Sequence, residues 1–315
     1  MKFSSFIKKT RANLSLSQNE IVDKLISGHS KFYNLNTTTY NRWENDHTTP
    51  STFKIYLILR ILELDVIDSY KKLSLRLSNS KLKPFIDLIN YLDNNQNRFR
   101  LLSSTLPQLE EFKTFDKSNY SDSTELLTKI KGSINNIIRQ SETKASEKDI
   151  EHIIEMQKAR TIIITACKNH DTDTYTAQCA WIYLNTSFEK DFISIFKKKE
   201  LRLRDLNFGN REQESFIFSI PIPLHSGIWN HYFIKELIKE TINKPPKRIY
   251  VFCLNSEALR LYLNLGFKTV ASISNRIKIN SNINEVVQYA RTYLLSIEYE
   301  DFISHHGVIQ FIKES

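Results

Sequence analysis

Glycine is scarce in this chain of 315 residues, which has six. Glycine serves where a side chain would obstruct the backbone or where a left-handed turn is needed, so each of the six carries information. Cysteine is scarcer still: Cys167, Cys179 and Cys253 are scattered without Cys-x-x-Cys spacing. They suggest neither a disulfide framework nor a zinc site. No apolar run reaches the roughly 18–20 residues needed to cross a bilayer. The most apolar stretch near the front, Ile55 to Leu64, is interrupted by Arg60 and Glu63. Met1 to Thr10 carries Lys8 and Lys9 with no apolar block behind them and does not read as a signal peptide. No repeat of fixed period and no low-complexity tract occurs. These absences point to a reduced cytoplasm and away from a membrane.

What is present is enough apolar material for a packed interior, at 41% hydrophobic residues, and enough length for more than one core. The formal net charge is +9, which favours a polyanionic partner without proving one.

Three regions differ in texture. Residues 1–66 read as short helices between polar turns. Residues 67–158 read as helical throughout, with apolar residues at helical spacing in Phe85, Leu88, Ile89 and Leu92 and again in Leu126, Leu127, Ile130, Ile134, Ile137 and Ile138. Polar breaks at Asn94–Asn97, Ser103–Pro107 and Lys117–Ser123 divide this connector or dimerisation region. Residues 159–315 change to β-rich runs: Thr161–Thr165, Cys179–Leu184, Phe216–Ile222, Arg248–Leu254, Lys268–Ile273 and Arg291–Ile297. Helical patterns at Ile228–Ile242 and Ser256–Leu265 fall between them, which predicts an α+β domain.

In the first region, Ser17 followed three residues later by Glu20 spells a capping box, so a helix starts there and runs to about Ile26. Gln18 lies in its first turn, where the helix polarity suits a phosphate. Asn36 can cap a second helix beginning at Thr37. Tyr40 and Trp43, three apart, share a face assigned to the core. Thr37, Thr38 and Asn41 share another and can reach base edges, while Arg42 beside them suits a phosphate. Pro50 opens a further helix whose buried stripe is Phe53, Leu57, Ile58 and Ile61.

The Ser-Gln-x-Glu start, the Thr-Tyr-x-Arg-Trp-Glu-Asn end and the Pro-Ser-x-x-x-x-x-Leu opening of the last helix resemble the Cro/C1-type (XRE) helix-turn-helix family over residues 3–66. The resemblance implies five helices, major-groove binding through the third, and a dimer on two half-sites. Two departures stand out. Ser27–Asn34, with Gly28, His29, Lys31 and Tyr33, is longer than the family's turn; it is either an extra backbone-contacting loop or an inert insertion. Asn45-Asp46 replaces the usual Asn-Gly, a mild change because Asp tolerates turn geometry. A protein–protein module is the competing interpretation, since the net charge of residues 1–66 is only three positive, from nine basic and six acidic residues.

In the third region, the strand Arg248–Leu254 runs into Asn255-Ser-Glu-Ala258-Leu-Arg-Leu261-Tyr262-Leu-Asn-Leu-Gly266-Phe267. Asn255 can cap the helix and Gly266 can end it in a left-handed conformation. This stretch resembles the closing half of the GNAT acetyltransferase fold, Asn-x-x-Ala-x-x-Leu-Tyr-x-x-x-Gly-Phe, with a mixed central sheet. The resemblance implies that Asn255 and Tyr262 face acetyl-CoA or another acyl-CoA and that Tyr262 acts as general acid; the plainer role for Tyr262 is packing on Phe267. The family's pyrophosphate loop falls at Leu224-His225-Ser226-Gly227-Ile228-Trp229, where Ser226, Gly227, Ile228 and Trp229 would lie against the phosphates. Leu224 and Trp229 depart from its pattern. Glu212, Glu214, His225 and His231 are weak candidates for a base. His305-His306 lacks neighbours at ligand spacing, so no metal site is expected.

The whole predicts a cytoplasmic, homodimeric transcription regulator that binds double-stranded DNA, with a GNAT-like domain that senses a ligand or mediates interaction. An active N-acetyltransferase targeted by a DNA-binding domain is the alternative.

Overall fold

The computed structural model describes residues 1–100, 112–114, 155–156, 159, 161–169, 174–198, 206–209, 214–222, 227–253, 256–280 and 285–314. The expected helical pattern at 126–138 lies outside them. The chain divides into two compact units, one of Met1–Ile86 with Glu300–Ser315 and one of Asp87–Tyr299.

The helical unit begins with α1 (Phe3–Asn13), α2 (Gln18–Gly28), α3 (Thr37–Glu44), α4 (Thr52–Ile61) and α5 (Val66–Lys72). At the starts of α2, α3 and α4 side chains satisfy free N–H groups. Ser17 Oγ accepts from the Glu20 N–H at 3.2 Å while Glu20 Oε2 accepts from the Ser17 N–H at 2.7 Å, completing the capping box. Asn36 Oδ1 accepts from the Thr39 N–H at 2.8 Å, and Ser51 Oγ accepts from the Lys54 N–H at 3.3 Å.

Three of these five helices end by one rule. After α1, α3 and α4 the chain makes the paired 6→1 and 5→2 bonds of a Schellman motif. They run Leu16 N to Arg11 O with Ser15 N to Ala12 O, His47 N to Arg42 O with Asp46 N to Trp43 O, and Leu64 N to Leu59 O with Glu63 N to Arg60 O. The left-handed position is held by Ser15, Asp46 and Glu63, at φ of 55°, 61° and 57°. Burial on α4 is broader than the expected stripe. Ile55 through Leu59 are all buried, while Phe53 and Ile61 are half-buried, because α4 packs against α2 and α5 both.

Residues further along the chain also belong to this unit. After α10 (Tyr299–Ile303), α11 (His306–Glu314) buries Val308, Ile309, Phe311 and Ile312 and packs on α5. The Phe311 ring meets Phe85 edge-on at 5.9 Å. His306 Nδ1 accepts from the Ser78 N–H at 2.9 Å, and Lys313 Nζ donates to the Leu73 carbonyl at 2.9 Å. A Cβ on Gly307 would lie 2.2 Å from Phe85 Cβ, so only glycine lets this helix approach so closely. Compactness therefore groups residues 300–315 with the first region, where the sequence pattern attached them to the third.

Helix α6 (Asn79–Arg100) runs through Asn94–Asn97, one of the expected polar breaks; without Gly or Pro there, amides alone do not end a helix. The connector is also not helical throughout. Phe112–Thr114 forms β1, paired antiparallel with Cys167, Ala166 and Thr165. Helical periodicity cannot register a strand whose partner lies some fifty residues away.

The second unit is built on a mixed sheet of β1, β2 (Ile162–Asn169), β3 (Thr174–Asn185), β4 (Ser215–Ile222), β5 (Arg248–Cys253), β6 (Lys268–Asn280) and β7 (Glu285–Glu298). Among the described residues its order is β1-β2-β3-β4-β5-β7-β6. Every neighbouring pair is antiparallel except β4 and β5. A parallel pair needs a crossover, supplied by α8 (Gly227–Thr241).

Between β3 and β4, α7 (Glu189–Lys197) lays Phe192 and Phe196, one turn apart, onto the sheet. Phe192 meets Phe216, Phe218 and Tyr250 with ring centroids 5.1–5.4 Å apart. Arg248 at the start of β5 ties the edges of this core together. Its Nε donates to Glu298 at 2.9 Å and its Nη1 to Glu189 at 2.6 Å, and the Tyr250 hydroxyl donates to the same Glu189 oxygen at 2.7 Å. No helix among the described residues is long and apolar enough to cross a membrane.

Candidate nucleic-acid interface

Helix α3 has two unlike faces. Tyr40 and Trp43 are buried at 0% and 4% exposure and meet edge-on at 6.1 Å, as their spacing requires. Asn36, Thr38, Asn41 and Arg42 are exposed, and Thr37 is half-buried. Thr37 has a structural task as well, since its Oγ1 donates to Asn19 Oδ1 at 2.7 Å and ties the start of α3 to the first turn of α2.

Beneath the exposed face lies a charge network missing from the sequence reading. Glu44, one residue past Trp43, is 6% exposed. Arg11 of α1 grips it twice, Nε to Oε1 at 2.7 Å and Nη2 to Oε2 at 3.2 Å. Gln18 Nε2 donates to Glu44 Oε2 at 2.7 Å. Burial pushes the Glu44 carboxyl upward, but the hydrogen bonds from Arg11 and Gln18 and the Arg11 charge outweigh it, so it ionises below its ordinary range. Burial raises the Tyr40 hydroxyl, and the Glu44 charge beside it raises it further. The visible clue was an acid next in sequence to the core-facing Trp43.

This network decides which way the amides point. Ionised Glu44 only accepts, so the Gln18 NH2 must face it. The same NH2 donates to Asn41 Oδ1 at 3.2 Å, and Asn45 Nδ2 donates to that oxygen at 2.8 Å. The Asn41 oxygen is thereby occupied. Its NH2 has no protein partner among the described residues and is left as an outward donor. Arg42 likewise has no carboxylate partner among the described residues.

The sheet unit brings together fewer of its expected site residues. Ser226 and Asn255 lie outside the described residues, as do Leu224, His225 and Glu212. Gly227, Ile228 and Trp229 open α8 directly after β4, but the side chains of Ile228, Trp229 and His231 are likewise outside the description. Glu214 is exposed at the start of β4. Tyr262 in α9 (Ser256–Asn264) is half-buried, with its ring 5.1 Å from that of Phe267.

That contact belongs to a helix cap. Phe267 N bonds Tyr262 O at 3.1 Å, Gly266 N bonds Leu263 O at 3.0 Å, and Gly266 has φ of 95°. These are the two bonds of a Schellman motif, with its customary apolar contact. Leu-Tyr-x-x-x-Gly-Phe is thus explained by helix termination before any chemistry is invoked. The parallel pairing of β4 with β5 covers only Ile217–Ser219 against Ile249–Val251, so both strands run past it toward their carboxyl ends. His305 and His306 sit in the helical unit, and burial lowers both, His305 to about 4. No group of three or more metal-ligating side chains occurs among the described residues.

No family model matches the chain, and no curated protein matches it. Solved structures similar to it include a ribosomal-protein-alanine N-acetyltransferase from Brucella melitensis, at 9% identity and TM-score 0.36, covering 60% of this chain and 99% of that one. Arabidopsis thaliana NAA60 in complex with acetyl-CoA aligns at 16% identity and TM-score 0.34, covering 60% and 97%. An arylalkylamine N-acetyltransferase 2 from Aedes aegypti aligns at 13% and 0.36, covering 60% and 98%. Likenesses of this size establish neither a family nor an activity for this chain.

Proposed function

We propose that the chain is a sequence-specific DNA-binding regulator whose helical unit enters the major groove with α3. One observation carries this reading: α3 buries its aromatics and its acid while it leaves Thr38, Asn41 and Arg42 exposed, with the Asn41 donors turned outward. Donors suit the acceptor-rich edge of a base pair, above all O6 and N7 of guanine, and Arg42 suits a phosphate. Two copies would read two half-sites, as helix-turn-helix dimers do. No membrane enters this account, and a cytoplasmic home fits it.

The experiment is selection from a pool of random-sequence duplexes, with the full chain and with Asn41→Ala. The wild type is expected to enrich one motif, and the variant to lose preference at one position of each half-site. Absence of any enriched motif with the wild type sinks the proposal.

For the sheet unit, the short parallel pairing of β4 with β5 supports a ligand-binding role. Ligands of open sheets bind beyond the carboxyl ends of parallel strands. The resemblance of its closing half to GNAT acetyltransferases, and its mixed strand order, suggest an acyl-CoA as that ligand. The first turn of α8 fits a pyrophosphate in kind, because its N–H groups have no partner within the helix and Gly227 adds no side chain. Bound there, the thioester would supply an activated acyl group. This chain's part would be to hold the phosphates at Gly227–Trp229 and to orient the thioester near Tyr262. If the ligand favours one arrangement of the dimer, it alters DNA affinity by that difference in affinity.

Catalysis is the second reading. Tyr262→Phe keeps the ring against Phe267 and removes only the hydroxyl. A strong fall in acetyl-CoA turnover would support Tyr262 as general acid, whereas heat of acetyl-CoA binding with no turnover in the wild type would leave a sensor.

A further inference from the structure

Within the first 66 residues the excess of positive charge is confined to one stretch. Residues 24–43 hold Lys24, Lys31 and Arg42 and no acidic residue. The remainder of the first 66 residues holds six basic and six acidic residues and is neutral. None of these three cations has a carboxylate partner among the described residues, unlike Lys2, Arg11 and Lys72, which are paired with Asp46, Glu44 and Asp68.

Within this stretch lies the long connection between α2 and α3, and it is a built element. Ser30–Phe32 forms a turn of 3₁₀-helix. His29 Nδ1 accepts from the Lys31 N–H at 3.1 Å, and Leu35 N bonds Phe32 O at 2.7 Å. Phe32 is sunk into the core at 1% exposure. The residues on either side of this anchor point outward: Lys31 is exposed and Tyr33 is 70% exposed, with neither side chain partnered among the described residues. The carboxylate that approaches the loop is Glu300, 3.6 Å from His29 Nε2.

We propose that Lys31 and Tyr33 form a second contact with duplex DNA, gripping the sugar–phosphate backbone beside the groove that α3 enters. This rests on the reading of α3 given above. Tyr33 is three residues from Asn36, so at most about 11 Å of chain separates it from the start of the reading helix. The major groove is about 12 Å wide, which sets its phosphate wall at that reach. Lysine and tyrosine are both backbone-contacting types, and such contacts fix register without reading sequence. The anchored turn orders the two side chains before binding, which lowers the entropic cost of the contact.

The test uses the full chain and a mixed-sequence duplex, with affinity measured by fluorescence anisotropy from low to high salt. Lys31→Ala is expected to weaken binding about two- to five-fold, as for an exposed ion pair. It should also reduce the slope of log affinity against log salt by about 0.9, the signature of one lost phosphate contact. Lys31→Arg should restore both. Tyr33→Ala is expected to weaken binding at least about two-fold, as for one hydrogen bond, with the slope unchanged. Both side chains are exposed, so neither substitution should alter thermal stability. If Lys31→Ala and Tyr33→Ala bind as the wild type does while Arg42→Ala binds weakly, the loop is inert and the α3 reading stands. If the wild type itself does not bind duplex DNA, both fall.

Discussion

Helices α3 and α9 end in the same way and differ in what surrounds the ending. Each closes with a Schellman motif, through Asp46 at φ 61° in the first and Gly266 at φ 95° in the second. Each coincides with a motif that resembles a known family. Around Asp46 the residues before the cap divide into a buried face and an exposed polar one, on which the side chains of Thr38 and Arg42 and the Asn41 NH2 have no partner among the described residues. Around Gly266 the recognisable residues, Tyr262 and Phe267, are engaged with each other as the cap requires. A signature can record helix termination, chemistry, or both, and the exposed unpartnered side chains distinguish them. The N-terminal motif leaves such side chains over, whereas Tyr262 in the described part of the C-terminal motif is half-buried against Phe267.

The comparison can be broken first at the buried acid. Glu44→Ala removes the partner of Arg11 and the acceptor for Gln18, so loss of about 3 kcal/mol is expected from the helical unit. Hydrogen exchange, which follows each unit separately, should show lost protection in α1 to α3 and none in the sheet. Equal loss in both units would mean that the network is not local to the interface.

A smaller effect is expected at Gly307→Ala. In most helices that change is mildly stabilising. Here the added methyl collides with Phe85, so the expected sign is reversed, at about 2 kcal/mol destabilising. Urea unfolding followed in the helical unit would reveal it, and a gain in stability would show that α11 docks less tightly than described.

The two caps give the smallest and most pointed pair. Gly266→Ala forces a side chain into positive φ and should cost about 1 kcal/mol. Glu63→Gly relieves a side chain from the same condition and should stabilise by about the same amount. Melting curves of both variants test whether glycine scarcity is a real burden on this chain. If the two shifts have the same sign, the shared geometry of the caps does not govern stability.

What could be read from sequence was what neighbouring residues decide. The Ser17–Glu20 box, the Asn36 cap, the inward Tyr40 and Trp43 and the exposed Thr38 and Asn41 depend on a few adjacent positions. The mixed sheet was legible as a class, and Gly266 as a helix end. Three things were not. Phe112–Thr114 becomes a strand only through its distant partner. Strand β6 runs on past Ile273 through Asn275, Arg276 and Lys278, whose polar character hides it. Helix α11 looks from its sequence like part of the region before it, and only packing assigns it elsewhere. The acid-free stretch 24–43 is hidden in the net charge of residues 1–66 and emerges only when charge is followed along the chain.

The return of α11 to the helical unit also sets a clock on synthesis. Its bonds to Ser78 and Leu73 span 228 and 240 residues of chain. A ribosome adding roughly 5–20 residues per second exposes the first 86 residues about 10–45 s before their last packing partner emerges. During that interval the surface around Phe85 and α5 stands uncovered, so chaperone capture of nascent chains should be strongest between the making of α6 and the making of α11.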